Sequence, residues 1–483
     1  MRLRIRDGAR YHRAVHRLFL SSLLALTACA PEAELAIDLH TDLVPGVDFE
    51  SIRVSLGQRP EARQPGALPG ATALLEGTRI IEYQGLAPGE DVVTVELVRA
   101  EGEPIVIEVP VAIDGLTAVT ARHFVRPQIV AGYRVSCARF GARAWCWGAA
   151  DHIFPGLPPG EVLPPTELPY PVADLCSSFL GICTLATDGT LRCVERGIGT
   201  DSRSFEVSAA HGGHGHVELD CGGAEYGLRV RHRCMRDADG SVSCNGSDLR
   251  GQLGDGGGDD ESTITDHNEV AGLSGVTRLT SSVGHSCALT EEGQVWCWGF
   301  GGNLGDGTDE DRFAPVAALG VTGMERLDTF WGTSCALVPG GAMQCWGANE
   351  ARQIVDRVED GPVLRPVAVP RGMGAHDLAV GQHHICVVGA VGQVRCWGKN
   401  SSGQLGDGTT EDRAEPVGDA WLFSPAVAID AGPDHTCRIS KEGGGLSVVC
   451  WGGNRSGELG RPPSEEPSPT PRRVELPGFT YSQ

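Results

Sequence analysis

The sequence is short of positive charge. Lysine and arginine total 40 against 62 aspartates and glutamates, a formal net charge of −22 at pH 7. A surface that acidic repels nucleic acid and anionic lipid, so neither nucleic-acid binding nor a basic membrane patch is expected. Long apolar runs are missing too: Leu18 to Ala28, after an arginine-rich start, is an apolar stretch of eleven residues, too short to span a bilayer. Motifs of common active sites are absent as well, with no Gly-x-Ser-x-Gly elbow, no phosphate loop and no His-Glu-x-x-His. Nothing in the chain therefore names a nucleophile, its base and an orienting group, and no cofactor is expected.

What the chain has in quantity is cysteine, 17 in all. Fourteen form seven recurring pairs: Cys137 with Cys146, Cys183 with Cys193, Cys234 with Cys244, Cys287 with Cys297, Cys335 with Cys345, Cys386 with Cys396, and Cys437 with Cys450. Successive second cysteines are 47 to 54 residues apart, a period that implies a ring or stack of small sheets. The fourth unit is the clearest. Gly284-His285-Ser-Cys287-Ala-Leu289 and Val295-Trp-Cys297-Trp298-Gly299 read as strands around the turn Glu291-Glu292-Gly293. Placing Cys287 opposite Cys297 makes Thr290 face Gln294 and leaves a three-residue hairpin loop with glycine at its left-handed position. Both sulfurs then share one face at a separation that a disulfide nearly spans. Each such bond would add roughly 2 to 3 kcal/mol in the chain-entropy model. Zinc is the rival use of these cysteines, but they lack Cys-x-x-Cys spacing and sit in separate units.

The text Gly-x-x-His-x-Cys-Ala-Leu, Gly-x-Val-x-Cys-Trp-Gly and Asn-x-x-Gly-Gln-Leu-Gly-Asp-Gly-Thr resembles the regulator of chromosome condensation repeat family. The match covers roughly residues 126–477 and is most specific in units four and six, as in Cys396-Trp397-Gly398-Lys-Asn400-Ser-Ser-Gly403-Gln-Leu-Gly406-Asp407-Gly408-Thr409. The resemblance implies a seven-bladed β-propeller. It also implies action through protein contacts, since family members include exchange factors for GTPases and inhibitors. The exchange role is not carried over, because an exported domain would not meet a cytosolic GTPase. Closure is expected to use a strand from one terminus, Arg472 to Leu476 or Gln128 to Val130, to complete a blade built by the other.

The leader ends in Leu26-Thr27-Ala28-Cys29, which resembles a bacterial lipobox and implies cleavage before Cys29 and acylation there; Ala30 is not the aspartate associated with inner-membrane retention. The expected product is an exported outer-membrane or surface lipoprotein held by its lipid alone. Removing residues 1–28 takes away six arginines and one aspartate and leaves about −27. Setting Cys29 aside, two cysteines remain, Cys176 and Cys221, each upstream of its unit's first paired cysteine, and a bond between adjacent blades is expected for them. Disulfides at this density need an oxidising compartment. The chain therefore divides into a signal peptide (1–28), a tether (29–32), a small domain (33–122) and the propeller (126–477). Strands at Leu35–Leu39, Ile52–Leu56, Val93–Leu97 and Ile105–Val111 make the small domain an antiparallel β-sandwich, immunoglobulin-like or fibronectin-like. The fold class is all-β.

Candidate sites are few. His232, His285, His384 and His435 each precede a paired cysteine by two residues, and as repeated positions they are expected to serve packing and local hydrogen bonding. Loops beginning Asp255, Asp306 and Asp407 are expected to be turns rather than calcium sites. His211-Gly-Gly-His214-Gly-His216 is unrepeated and reads as a solvated loop. The periodic tryptophans Trp147, Trp298, Trp346, Trp397 and Trp451 should fill gaps between blades. Trp331 and Trp421 break the pattern and are candidate partner anchors. The function expected is binding of a protein or glycan partner. The alternatives are a lyase or hydrolase at the channel mouth and an architectural envelope component.

Overall fold

The computed structural model describes strand backbones between Ala33 and His123, and residues 127–479 apart from 155–156, 159, 180, 187–189, 197–201, 208–215, 223–231, 238, 259–267, 339, 356–360, 371–373, 420–423 and 443–444; Glu195, Arg196 and residues 202–207 are described by backbone alone. The chain divides after Arg126. The leader, Cys29 and Trp421 lie outside the described residues.

In the first unit the strands are β1 (Ala33–Thr41), β2 (Ser51–Leu56), β3 (Ala62–Arg63), β4 (Thr78–Leu86), β5 (Gly89–Val98), β6 (Ile105–Ile113) and β7 (Leu116–His123). They form two sheets, ordered β4-β1-β7 and β3-β2-β5-β6. One pairing departs from the antiparallel expectation, because β1 runs parallel to β7. Parallel neighbours need a long connection, and the intervening chain from β2 to β6 supplies it.

The second unit consists of seven four-stranded sheets, each built from four consecutive strands. Blade one holds β8 (Gln128–Ala131), β9 (Val135–Phe140), β10 (Arg143–Ala149) and β11 (Val162–Glu167). Blade two holds β12 (Val172–Ser178), β13 (Gly181–Ala186), β14 (Leu191–Arg196) and β15 (Ser202–Val207). Blade three holds β16 (His216–Gly222), β17 (His232–Asp237), β18 (Val242–Gly246) and β19 (Asn268–Glu269). Blade four holds β20 (Val276–Ser281), β21 (His285–Thr290), β22 (Val295–Gly299) and β23 (Arg312–Ala317). Blade five holds β24 (Arg326–Phe330), β25 (Thr333–Leu337), β26 (Met343–Gly347) and β27 (Val363–Val369). Blade six holds β28 (Ala375–Val380), β29 (His384–Gly389), β30 (Val394–Gly398) and β31 (Arg413–Gly418). Blade seven holds β32 (Ala426–Ala431), β33 (His435–Glu442), β34 (Gly445–Asn454) and β35 (Ser464–Val474). First strands of successive blades touch, and β8 meets both β12 and β32, so the first strands ring the axis and the circle closes.

Local chemistry sets each hairpin. Cys287 faces Cys297, the Thr290 amide donates to the Gln294 carbonyl at 3.0 Å, and Gly293 takes φ 73°, a value that side chains resist. All seven repeat pairs are disulfide-bonded within their blades, and Cys176 is bonded to Cys221 between blades two and three.

Between blades the repeat tryptophans do the filling. Trp147, Trp298, Trp346, Trp397 and Trp451 are fully buried, and burying one such ring is worth on the order of 5 kcal/mol as an upper figure. Four of them donate Nε1 to a carbonyl of the preceding blade: Trp298 to Gln252, Trp397 to Gln353, Trp451 to Gln404 and Trp147 to Glu458, at 2.7 to 3.0 Å. The glycines of three Leu-Gly pairs make room, since a Cβ on Gly254, Gly305 or Gly406 would lie 2.7 to 3.0 Å from Trp298, Trp346 or Trp451.

Closure departs from the expected shared strand. β8 is the innermost strand of blade one, β35 the outermost of blade seven, and both pair within their own blades. Side chains seal the ring instead. Trp145 and Trp147 pack with Ile439, Val448, Leu459 and Leu476, Trp145 Nε1 donates to the Pro477 carbonyl at 3.0 Å, and Phe479 stacks on Phe140 at 4.4 Å between centroids. Four complete strands in each terminal blade leave no empty strand position for a shared one to fill.

Candidate functional site

The four repeat histidines are committed to seams. Nε2 of His232, His285, His384 and His435 shares a hydrogen bond with a hydroxyl of the next blade: Ser286 (2.8 Å), Ser334 (3.1 Å), Thr436 (2.9 Å) and Ser136 (2.9 Å). Burial pushes His232 down to about 3, with His285 and Arg233 adding to it, and His384 to about 3, with His435 and His383 adding. His285 falls to about 4 through burial, as does His435 against the opposing charge of Asp434. All four are neutral at physiological pH, each in its own seam, and they do not converge.

The acidic loops are closed by their own chains. Asp306 accepts from the Thr308 amide (2.9 Å) and Arg312 Nε (2.8 Å). Asp407 accepts from the Thr409 amide and Arg413 Nε, both at 2.9 Å. Partial burial works to raise both carboxyls, but these donors outweigh it and hold them below the usual range. Of the unrepeated histidine cluster, His216 opens β16 with Nδ1 2.5 Å from Asp237 Oδ1; His211 and His214 lie outside the described residues. Among the described residues no group of three His, Cys, Asp or Glu could hold a metal ion.

Sequence reasoning missed the carboxylates at the axis. Asp220, Asp328 and Asp430 each stand opposite the first paired cysteine of their blade. Each accepts a backbone amide of the next blade: Asp220 from Ser281 (3.2 Å), Asp328 from Val380 (2.7 Å) and Asp430 from Ala131 (2.7 Å). Asp174, two residues before Cys176, accepts from Leu219 of blade three at 2.7 Å. Asp174 is buried and the other three are partly exposed, yet protein surrounds them on the seam side and desolvation dominates. Burial raises Asp174 to about 6 and Asp430 to about 7. It raises Asp220 and Asp328 well above the usual range, with the charges of Asp328 and Asp430 adding respectively. The signal was an aspartate seven residues before Cys335 and Cys437. Asp220, Asp328 and Asp430 occupy equivalent repeat positions, Asp174 lies two residues before that position in its own blade, and all four spend oxygens on amides.

One end of the propeller carries every turn from a first to a second strand, because all first strands run the same way around the axis. That end holds half-buried Tyr133 and Phe179, whose rings lie 4.0 Å apart, exposed Phe300 beneath Arg250, and Trp331. Trp331 is half-buried, with φ 47°, and Gly332 follows at 91°. Two left-handed residues make a tight hairpin turn that ordinarily takes Asn-Gly, and a tryptophan there stores about 1 to 2 kcal/mol.

Eight disulfides suit an oxidising, extracytoplasmic compartment. Among the described residues no helix is long and apolar enough to cross a membrane.

Comparison with known proteins agrees with the blade pattern. Residues 392–439 and 276–303 match two family models described as the regulator of chromosome condensation (RCC1) repeat. The ultraviolet-B receptor UVR8 of Arabidopsis thaliana is 28% identical over 226 residues, covering 46% of this chain and 39% of the receptor. Human RCC1 domain-containing protein 1 is 35% identical over 102 residues, 21% of this chain and 26% of that protein. The match therefore spans well under half the length of these curated relatives. Among solved structures, Prp20p of Saccharomyces cerevisiae, studied for its binding to Gsp1p and histones, superposes with a TM-score of 0.56 at 18% identity, covering 73% of this chain and 88% of that one. Two stretches of this chain thus match RCC1 repeat models, and they lie within a ring of seven four-stranded blades, a seven-bladed β-propeller.

Proposed function

We propose that the chain is an exported binding module, acylated at Cys29 and held at the outer membrane or cell surface by lipid, that presents the Trp331 end of its propeller to a protein or glycan partner. The observation that carries this is Trp331: a strained left-handed backbone bears a large half-exposed aromatic at a turn where asparagine would sit without strain. The protein partners of the yeast relative favour a protein over a glycan. Histones as such a partner have no support here beyond that likeness.

Trp331→Asn separates the roles, because it relieves the turn and removes the anchor. Proximity labelling on intact cells should recover a reproducible partner with the parent chain and at least tenfold less of it with the variant, while melting temperature stays level or rises. Equal recovery by both chains would remove Trp331 from the interface, and recovery of no reproducible partner by the parent would end the binding reading.

A further inference from the structure

The seam between blades two and three differs from the other six. Cys176 occupies the position that Asp220, Asp328 and Asp430 fill elsewhere, opposite the first paired cysteine of its blade. Cys221 occupies the position of Ser281 and Val380, whose amides those aspartates bind. A covalent bond thus stands where other seams use a carboxylate and an amide.

Four half-cystines meet there. Cys176 is the register partner of Cys183, which is the partner of Cys193, so three sulfurs lie in a row on the sheet face turned toward blade three. Partners across such a pair have Cβ atoms about 4.5 to 5.5 Å apart. From blade three comes Arg233, the register partner of Cys221 and itself buried. Its Nη1 lies 2.9 Å from Cys193 Sγ and 3.6 Å from Cys183 Sγ. These are also the least completely buried half-cystines: Cys176, Cys183, Cys193 and Cys221 are 4, 4, 1 and 6% exposed, while the other twelve bonded cysteines are at 0%.

We infer that this seam is a thiol–disulfide exchange site whose substrate is a small dithiol. One thiolate of the reductant attacks Cys221 Sγ and breaks its bond to Cys176, which leaves as thiolate. The second thiol resolves the mixed disulfide, so the reductant departs as a disulfide and Cys221 as a thiol. The Cys176 thiolate then attacks Cys183 Sγ, forming Cys176–Cys183 and expelling Cys193. Arg233 directs the choice of leaving group: a guanidinium at 2.9 Å favours thiolate character at Cys193, and a thiol of lower pKa leaves faster. The net change is two electrons from the dithiol, with thiols finally on Cys193 and Cys221. The ring stays joined at this seam through Asp174 and the Leu219 amide but loses its covalent latch.

The test uses the full oxidised chain with one equivalent of dithiothreitol, quenching by N-ethylmaleimide, and mapping of peptides cleaved at Phe179, which separates Cys176 from Cys183. The expected result is label on Cys193 and Cys221, a Cys176–Cys183 cross-link, and six untouched hairpin disulfides. Label on Cys176 and Cys221 with Cys183–Cys193 intact, or label spread across blades, would overturn the relay. Arg233→Gln should shift the product ratio toward label on Cys176 and Cys221 by tenfold or more, and an unchanged ratio would refute the role of Arg233.

Discussion

Replacing His285 by asparagine should make the propeller weaker at neutral pH and stronger in acid. At pH 7 the parent imidazole is neutral and shares a hydrogen bond with Ser334, so its loss costs about 1 to 2 kcal/mol. Acid reverses the balance. Burial lowers the folded-state pKa to about 4 against 6.5 unfolded. The unfolded chain therefore binds the proton first, and stability is lost as pH falls through that window. At about 1.4 kcal/mol per unit, the histidine costs the parent roughly 2 kcal/mol at pH 5 and about 3 kcal/mol at pH 4. The variant has no such cost, so its urea midpoint should start below the parent's at pH 7, meet it near pH 5 and exceed it at pH 4. Parallel midpoint curves would refute the claim that this ring is buried neutral.

Asp430→Asn should behave with the opposite sign. The folded carboxyl is raised to about 7 by burial, so its favourable contribution is present in acid and lost as pH rises through 7; the variant should gain on the parent by up to about 1.4 kcal/mol per pH unit between pH 4 and 7, read from denaturation midpoints. Phe479→Ala should lower stability by about 2 kcal/mol, because its ring stacks on Phe140 at 4.4 Å and meets Trp145 at 5.4 Å where blade seven closes on blade one; an unchanged melting temperature would mean that the tail does not help seal the ring.

What the sequence made legible was local. The spacing of Cys287 and Cys297 around Glu291-Glu292-Gly293 fixed a hairpin register because a three-residue loop admits few alternatives. Trp331 was visible as a break in the repeat, but its left-handed backbone was not. The axial aspartates were harder to read because their partners are remote: Asp430 receives the amide of Ala131, 299 residues away. An aspartate in a buried strand normally argues against the strand. It becomes acceptable only when the neighbouring blade brings an edge amide to it, and that geometry exists only once the next blade has docked or, for Asp430, once the ring has closed. The expected shared strand failed for a related reason, since aromatic packing and the Pro477 carbonyl supply the terminal contact that a hydrogen-bonded strand would have made.

The seams also explain how seven similar blades stay in order. Interchangeable blades held by tryptophan and leucine alone would tolerate slippage, because apolar contacts carry little directional information. Each seam instead adds polar partners that must find one another: Gln128 Nε2 with the Leu175 carbonyl between blades one and two, Thr280 with Thr329 between four and five, and Arg326 near Asp377 between five and six. A misplaced neighbour would strand a buried donor or carboxylate at about 1 to 3 kcal/mol per group. Net stability gained from such pairs is small, but the penalty for the wrong pairing is large. The departures from repeat symmetry at the axis therefore specify blade order, and the tryptophans and disulfides that repeat supply the strength.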